Sequence, residues 1–389
     1  MSDLFRSVVP FVAILVALVI IHELGHFVTA KLAGVMVLEF GIGYPPRLWG
    51  KKVGETEYTI NALPLGGFVR MLGETDAHEA DPDETGERAG VMNTAATQRS
   101  AEEDPRTLAA KPAGTRILVM AAGVIMNAIL PIILFSVNFM VPQNVLVGQP
   151  TIEHVSPNTP AAAAGLQPKD VILKVNGHTI QNTLDVRKWI DIYQGSTMDW
   201  EIKRGRDREH VEVYARWAVP TEKQADGSTV RQGPTGIRLD QVGVFTEKQS
   251  HPIWEAVPLG ARETYFTLVL VKNQIISWFA SKTAPQVQGP VGIAQVTGEI
   301  VKENGWTALI QLAALLSINL AIVNILPLPM LDGGRIFFVL IEILRRGKRI
   351  APEKEALVHL VGFALLISAV VVISYFDILR IVRGESLLK

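Results

Sequence analysis

The chain has 389 residues, of which 48% are hydrophobic, with a formal net charge of −1 and no cysteine. The absence of cysteine excludes disulfides, thiol nucleophiles and thiolate metal sites, so a bound metal would need nitrogen and oxygen ligands. The chain also lacks a basic tract with interleaved aromatic residues, so no nucleic-acid partner is expected.

Four apolar runs are long enough to cross the hydrocarbon core of a bilayer, which takes about 20 residues. They cover residues 8–30, 117–141, 307–331 and 356–376. The first run ends in a polar motif rather than in a small-residue cleavage site, which favours an uncleaved anchor over a signal peptide. The composition therefore predicts a polytopic α-helical membrane protein with four transmembrane helices, for which the lipid bilayer is an obligatory partner.

Basic residues predict how these spans are oriented, because short loops rich in lysine and arginine stay in the cytoplasm. Such residues cluster after the first run and between the third and fourth, at Lys31, Arg47, Lys51, Lys52, Arg345, Arg346, Lys348, Arg349 and Lys354. Both loops are expected to be cytoplasmic, the second as a basic loop over residues 335–354. The termini and the segment between the second and third runs would lie outside, although Arg380 and Arg383 weigh mildly against this topology.

The first run carries the motif His22-Glu23-Leu24-Gly25-His26. Residues four apart share one face of a helix, so both imidazoles can bind one zinc ion while Glu23 reaches a bound water as general base. Residues 8–30 contain no other ionisable side chain. Ionisable groups at membrane depth usually mark a functional site, but a five-residue motif also arises by chance. The hypothesis therefore requires a third ligand at matching depth.

Residues 37–73 are rich in glycine and strand-forming residues and predict short strands joined by tight turns, one of them at Gly66 and Gly67. Irregular backbone at a membrane persists only inside protein or beside a wet cavity. We therefore expect a membrane-associated β-element close to the metal site, the alternative being a small cytoplasmic hairpin. Residues 74–112 are polar and acidic, and predict a flexible insert.

Residues 148–240 predict a soluble α+β domain inserted between the second and third runs. Strands are predicted at 151–155, 170–175, 198–204 and 210–215. A turn and a short helix cover 156–165, a hairpin turn lies at 176–177, and a second helix covers 183–193. Their order, with the words Ser-Pro-x-x-Pro-Ala-x-x-Ala-Gly-Leu-x-Pro-x-Asp and Val-Asn-Gly, resembles a bacterial, circularly permuted PDZ domain. Such a domain can capture a peptide strand or C-terminus, or can act as bulk that limits access. Residues 250–300 predict an amphipathic juxtamembrane helical segment, with a short re-entrant segment as the alternative.

The end of the third run offers the missing ligand. Two prolines interrupt the stretch from Asn324 to Gly334, and Asp332 follows 27 uncharged residues. A catalytic zinc site usually has three protein ligands and an open position. In the predicted topology Asp332 lies toward the same cytoplasmic face as both histidines. A helix cap or turn residue at the membrane surface is the alternative role for this aspartate.

Together these features resemble the site-2 protease family of intramembrane zinc metalloproteases, of the bacterial type similar to the regulator of sigma-E protease. The matching words span nearly the whole chain, and include His22 to His26, the two glycine-rich stretches within 37–73, Gly123-Val-Ile-Met-Asn127, Gly289-Pro-Val-Gly-Ile293 and Asn324 to Gly334. The acidic insert is the least family-like region. One PDZ domain is expected here, whereas some relatives have two in tandem.

The resemblance implies zinc bound by His22, His26 and Asp332, with Glu23 activating water. It further implies a membrane-reentrant β-element, including Gly66 and Gly67, that receives the unwound substrate strand. Substrate-holding roles follow for two further residues, Asn319 and Asn324. Asn127 matches a family position without a clear role, and interhelical hydrogen bonding is the alternative for all three asparagines.

The expected function is that of an intramembrane endopeptidase acting on single-span membrane proteins, such as anti-sigma factors or residual signal peptides. The expected location is a bacterial inner membrane, with the PDZ domain outside and the active site toward the cytoplasm. One alternative is a membrane-anchored PDZ receptor with a non-catalytic metal site. A zinc-binding transporter is a third reading, but it would need polar residues spread over several spans.

Overall fold

The structure is a computed structural model that describes residues 2–73, 104–223, 229–281 and 288–383. The predicted flexible insert lies outside the described residues except for 104–112, which form turns. The contacts divide the chain into two compact units, residues 1–134 with 287–389, and residues 135–286.

The elements follow one another along the chain in a mixed α and β order. They are α1 (Ser2–Leu32), β1 (Val37–Val53), β2 (Thr56–Met71), α2 (Ala113–Met140), β3 (Gln143–Val155), α3 (Pro160–Ala163), β4 (Val171–Val175), β5 (His178–Thr179), α4 (Thr183–Ile192), β6 (Thr197–Arg204), β7 (Asp207–Tyr214), β8 (Thr221–Lys223), β9 (Thr229–Arg231), β10 (Ile237–Gln249), α5 (Ile253–Ser281), α6 (Pro290–Asn304), α7 (Ala308–Ile325), α8 (Asp332–Leu344) and α9 (Pro352–Val382).

Four of the described helices are long and apolar enough to cross a membrane, which confirms the number of predicted spans. They are Ser7–Leu32, Ala113–Met140, Ala308–Ile325 and Glu353–Val382. The third span ends six residues earlier than the sequence predicts, because Pro327 and Pro329 cannot continue a helix. Most of the predicted loop 335–354 is also helical: α8 continues to Leu344, and the basic residues that suggested a loop begin only at Arg345.

Two long antiparallel strands, β1 and β2, form the β-element of the first unit. Gly54, with φ of +63°, makes the turn between them. The strands fold back on each other, so Phe40 is paired with both Val69 and Tyr58. Gly66 and Gly67 lie inside β2 and not at a turn, which corrects the sequence prediction. The cause is pairing with distant residues, since Gly67 lies opposite Ile42 and a Cβ atom there would come 3.0 Å from a neighbouring carbonyl oxygen.

A small apolar core places this β-element against the membrane helices of the first unit. Val37 and Val69 of the strands are buried together with Ala30 of α1 and Val119 of α2. Full burial of a valine side chain stabilises the folded state by about 1.5–3 kcal/mol relative to leaving it exposed. The β-element is thereby attached where α1 ends and α2 begins.

Helix α6 begins at the motif Gly289-Pro-Val-Gly-Ile293, and the structure shows why glycine is needed there. The backbone N–H groups of Gly289 and Gly292 both donate to Oδ2 of Asp377 on α9, at 2.9 Å. A Cβ atom on Gly292 would lie 3.0 Å from that carboxylate. The negative charge caps the positive end of the helix dipole, so α9 holds the start of α6.

The second unit contains a sheet with strand order β10-β3-β4-β6-β7, to which β5 is added beside β4. Its core includes the buried side chains of Ile152, Met198 and Trp200, and Phe266 of α5 packs against it. The sheet extends from Gln143 to Gln249 and so exceeds the predicted domain of 148–240 at both ends. The predicted juxtamembrane segment comprises two helices, α5 and α6, and α5 is not among the four helices suited to span a membrane.

Candidate metal centre

His22 and His26 lie on one face of α1 and are both buried, with 7% of each residue exposed. Their Nε2 atoms are 3.2 Å apart. Oδ2 of Asp332, the first residue of α8, lies 3.0 Å from Nε2 of His22 and 3.3 Å from Nε2 of His26. The structure thus brings together the three residues that the sequence proposed as ligands, although Asp332 is more than 300 positions away from the histidines.

The donor set and its dimensions fit zinc. Zinc bonds of about 2.0–2.1 Å in tetrahedral geometry place neighbouring ligand atoms about 3.3 Å apart. Asp332 Oδ2 is buried and accepts no hydrogen bond, which a cation would compensate. Within the described residues, His22, His26 and Asp332 are the one group of three or more His, Asp or Glu side chains whose ligand atoms converge.

Outer contacts from α2 orient both imidazole rings. Nδ1 of His26 lies 2.8 Å from the backbone oxygen of Val119, which can only accept a hydrogen bond. The proton of His26 is therefore on Nδ1, and Nε2 is left with a lone pair for a metal. Nδ1 of His22 lies 3.1 Å from the side-chain amide of Asn127, which is completely buried.

Glu23 follows His22 on α1 and lies beside strand β2. A Cβ atom on Gly67 would come 3.3 Å from Cγ of Glu23 and 3.6 Å from Cγ1 of Val19. The strand therefore passes close to the Glu23 carboxylate, which is next to the candidate ligand His22 in the chain. The sequence predicted a β-element close to this site, and the structure adds that Gly67 is the residue of β2 that lies against Glu23.

The loop that carries Asp332 is shaped by two glycines and supported by α9. Cβ atoms on Gly333 and Gly334 would lie 2.2 Å from backbone oxygens of the loop. Met330 has a φ of +71°, and its N–H donates to Nδ1 of His359 on α9 at 2.8 Å. Gly362, one turn further along α9, lies against Pro329 of the same loop.

The predicted substrate-holding asparagines lie on different sides of α7. Asn319 is exposed and Asn324 is half-buried. Ser317, whose hydroxyl donates to the backbone oxygen of Asn127, marks the side of α7 that faces α2. Asn324 follows Ser317 by seven residues, or about two turns, and shares its face. Asn319 lies about 140° away from Asn324 around the helix.

Sequence reasoning missed three residues that surround this centre, namely Val119, His359 and Gly362. Gly123 and Asn127 were noticed as parts of a matching word, but without a role. For His359 and Gly362 the sequence offered no signal, since each acts through a contact with a loop about 30 residues away.

Comparison with known proteins agrees with this geometry. Residues 10–369 match peptidase family M50. The chain is 31% identical to Zinc metalloprotease RasP of Geobacillus kaustophilus, over 97% of this chain and 99% of that protein. It is also 31% identical to the Regulator of sigma-W protease RasP of Bacillus subtilis, over 97% of this chain and 99% of that protein. Zinc metalloprotease RasP of Oceanobacillus iheyensis is 30% identical, over 96% of this chain and 99% of its own.

The family match covers the motif on α1 and Asp332 at the start of α8. It contains two of the four apolar helices in full, nearly all of the first and more than half of the last. The relatives match over nearly their whole length; two are named as zinc metalloproteases and the third as a protease. The chain therefore belongs to peptidase family M50, the site-2 protease family, and is a membrane-integral zinc metalloprotease.

Proposed function

We propose that this metalloprotease hydrolyses peptide bonds in or near the transmembrane segments of single-span membrane proteins, with zinc held by His22, His26 and Asp332. The observation that carries the proposal is the convergence of their three ligand atoms, 3.0–3.3 Å apart, within an apolar helix and at the start of α8. A site built into a helix of membrane-spanning length and composition favours substrates that are themselves in the membrane.

Glu23 is the general base of this proposal. When bound, zinc would act as a Lewis acid toward the scissile carbonyl and the attacking water. The Glu23 carboxylate accepts a proton from that water and passes it to the nitrogen of the leaving amine. Its position directly after His22 on α1, half-buried and beside β2, supports this role.

Strand β2 is proposed to hold the substrate in extended form through Gly66 and Gly67. A helical substrate hides its carbonyl groups, so it must unwind before attack. Within the described residues no third strand pairs with β1 and β2, and the edge segment that contains Gly66 and Gly67 is the proposed site for an added strand. Both glycines are buried, so substrate binding must uncover this edge. The absence of a side chain at Gly67 lets β2 itself lie against Glu23, which would bring a substrate strand added to β2 near that carboxylate.

Two asparagines of α7 complete the proposed substrate contacts. Asn324 lies on the face that points to α2 and close in sequence to Asp332, which supports a role next to the reacting bond. Asn319 is exposed on another side of α7, so it would meet a different part of the substrate.

The sheet of the second unit, with its two short helices, supports the assignment of a PDZ domain, and its proposed place outside the cytoplasm rests on the distribution of basic residues. The order of strands and helices matches the sequence expectation from β3 to β7.

The name of the Bacillus subtilis relative refers to sigma-W regulation, which supports anti-sigma factors as a substrate class. A bacterial plasma membrane, with the metal centre toward the cytoplasm, completes the proposal. A membrane-anchored PDZ receptor with a non-catalytic metal site is the competing function.

The test compares the full-length protein with Glu23→Gln in detergent, for zinc content and for cleavage of a single-span model substrate. Glu303→Gln, at an exposed site on α6, is the matched control. We expect about one zinc in all three proteins and loss of cleavage in Glu23→Gln alone. Zinc binding without cleavage by the wild type across a broad substrate panel would favour the PDZ receptor.

A further inference from the structure

We infer that Asn127 is a positioning residue that keeps the proton of His22 on Nδ1, so that Nε2 presents a lone pair to the metal. This inference rests on the proposed zinc site and assigns a function to a residue outside the ligand set. It also explains why an asparagine follows Gly123 by four residues on α2.

The first observation is the contact itself. Nδ2 of the Asn127 amide lies 3.1 Å from Nδ1 of His22, and Asn127 has no exposed surface. Its Oδ1 atom has no hydrogen-bond partner in the described structure. The oxygen and nitrogen of an amide exchange places by a 180° rotation, and only the hydrogen-bond network decides between the two arrangements.

The chemistry of the centre makes that decision. A neutral imidazole carries one proton, on either Nδ1 or Nε2. Nε2 of His22 faces Oδ2 of Asp332 and Nε2 of His26, and must be unprotonated to bind a metal with them. The proton is then on Nδ1 and needs an acceptor. The oxygen of the Asn127 amide supplies it, whereas the NH₂ group would place two donors against each other.

The same reasoning explains the difference between the two histidines. His26 is oriented by the backbone oxygen of Val119, which no substitution can remove. His22 depends on a side chain. Loss of a hydrogen-bond partner of a metal-bound histidine typically weakens metal binding by about 10–100-fold.

The backbone around Asn127 is held by a second helix. The hydroxyl of Ser317 on α7 donates to the backbone oxygen of Asn127 at 2.8 Å, and Ser317 is completely buried. Gly123, one turn earlier on α2, leaves the space that the two imidazole rings occupy. Gly123 and Asn127 are four residues apart and therefore lie on the same face of α2. Gly123 leaves room for the two imidazole rings, and Asn127 provides a hydrogen-bond acceptor for His22.

The test uses the full-length protein in detergent with three variants, Asn127→Leu, Asn127→Asp and Asn138→Leu. The leucine at 127 keeps the branching of asparagine at Cγ and removes both hydrogen-bonding atoms, whereas aspartate keeps an acceptor oxygen and loses the donor. Asn138→Leu is the matched control, because Asn138 is also buried on α2, about three turns away. Zinc affinity is measured by competition with a chelator, and thermal unfolding of the zinc-free protein reports on structural damage.

We expect Asn127→Leu to weaken zinc binding by about 10–100-fold, with Asn127→Asp and Asn138→Leu close to the wild type. Unchanged affinity in Asn127→Leu would overturn the inference. So would equal losses in the leucine and aspartate variants at unchanged zinc-free stability, because the amide would then act as donor. If the leucine variant does not fold, Asn127→Ala replaces it with the same expected loss. A wild type that binds no zinc would instead refute the proposed function.

Discussion

Gly123 of α2 lies directly against the imidazole of His26 on α1, so that a Cβ atom on Gly123 would come 2.4 Å from Nε2 of that ring. The same atom would come 2.7 Å from Nε2 of His22. A methyl group at this position would meet the atoms that face the metal, rather than the backs of the rings. The close approach of the two helices is therefore part of the metal centre.

Gly123→Ala is expected to reduce zinc affinity more than the roughly 10–100-fold typical of losing an outer contact, because the methyl group displaces both ligands. Gly114→Ala, on the same helix, is the control, since a Cβ atom there meets no atom within 4 Å. Zinc content after dialysis against a chelator measures the effect. Equal retention of zinc by the two variants would show that α2 does not limit the space of the centre.

Gly67→Ala is expected to reduce kcat/KM by roughly 10–100-fold, because a displacement of about 1 Å at a catalytic group has a cost of that order. The new methyl group would press on Glu23 and on the backbone oxygen of Gly41, whereas the three metal ligands lie outside this contact. Zinc content should therefore be retained.

Gly50→Ala serves as the control for Gly67→Ala, because the atoms nearest to its Cβ atom would be those at the flexible end of the Arg47 side chain. Cleavage of a single-span substrate and zinc content are measured for both proteins. A parallel loss of zinc and cleavage in Gly67→Ala would mean that the strand supports folding instead of the reaction.

Gly362→Val is expected to lower zinc affinity by roughly 10–100-fold, because a Cβ atom on Gly362 would lie 2.2 Å from Cβ of Pro329 and push α9 away from the loop before Asp332. Ala364→Val, at an exposed position two residues further along α9, is the matched control. Chelator competition measures both. Wild-type affinity in Gly362→Val would show that the loop holds Asp332 without α9.

Arg204→Met is expected to destabilise the second unit by roughly 2–4 kcal/mol. Nε and Nη2 of Arg204 donate to the two carboxylate oxygens of Asp170, at 2.9 and 2.7 Å, and Asp170 is only 1% exposed. Removing one partner leaves a buried charge, which costs about 3–5 kcal/mol in a dry pair and less here, because the arginine is partly exposed.

Thermal unfolding of the full-length protein measures the effect of Arg204→Met, and Arg208→Met is the control. The side chain of Arg208 is 70% exposed in its ion pair with Glu201, so its loss should change stability by less than about 1 kcal/mol. Similar melting temperatures for the two variants would contradict the structural role of the Asp170 pair.

Local patterns were sufficient to predict several parts of this protein. Apolar composition over about 20 residues defined the four membrane helices, because the bilayer thickness imposes that length. The 3.6-residue period of a helix placed His22 and His26 on one face. The two prolines before Asp332, and the isolated charge of Asp332 itself, indicated a break in a helix. Asn176-Gly177 indicated a turn, which the structure shows between β4 and β5.

Contacts between distant segments were beyond such patterns. Gly66 and Gly67 suggest a turn locally, yet pairing with β1 places them in a strand beside Glu23. Asn127 is 105 residues from His22, and His359 is 29 residues from Met330. Hydropathy and periodicity describe how one element meets its solvent, whereas these roles depend on which side chain a second element places against it.

The sequence by itself thus determined the class of protein, the helix that carries the motif and the chemical types of the ligands, because each depends on residues that are neighbours in the chain. Only the tertiary structure decided that α2 orients the histidines, that Gly67 of β2 lies against Glu23 and that α9 supports the Asp332 loop. The physical reason is that a metal centre requires placement within a few tenths of an ångström, and close packing between elements far apart in sequence provides it.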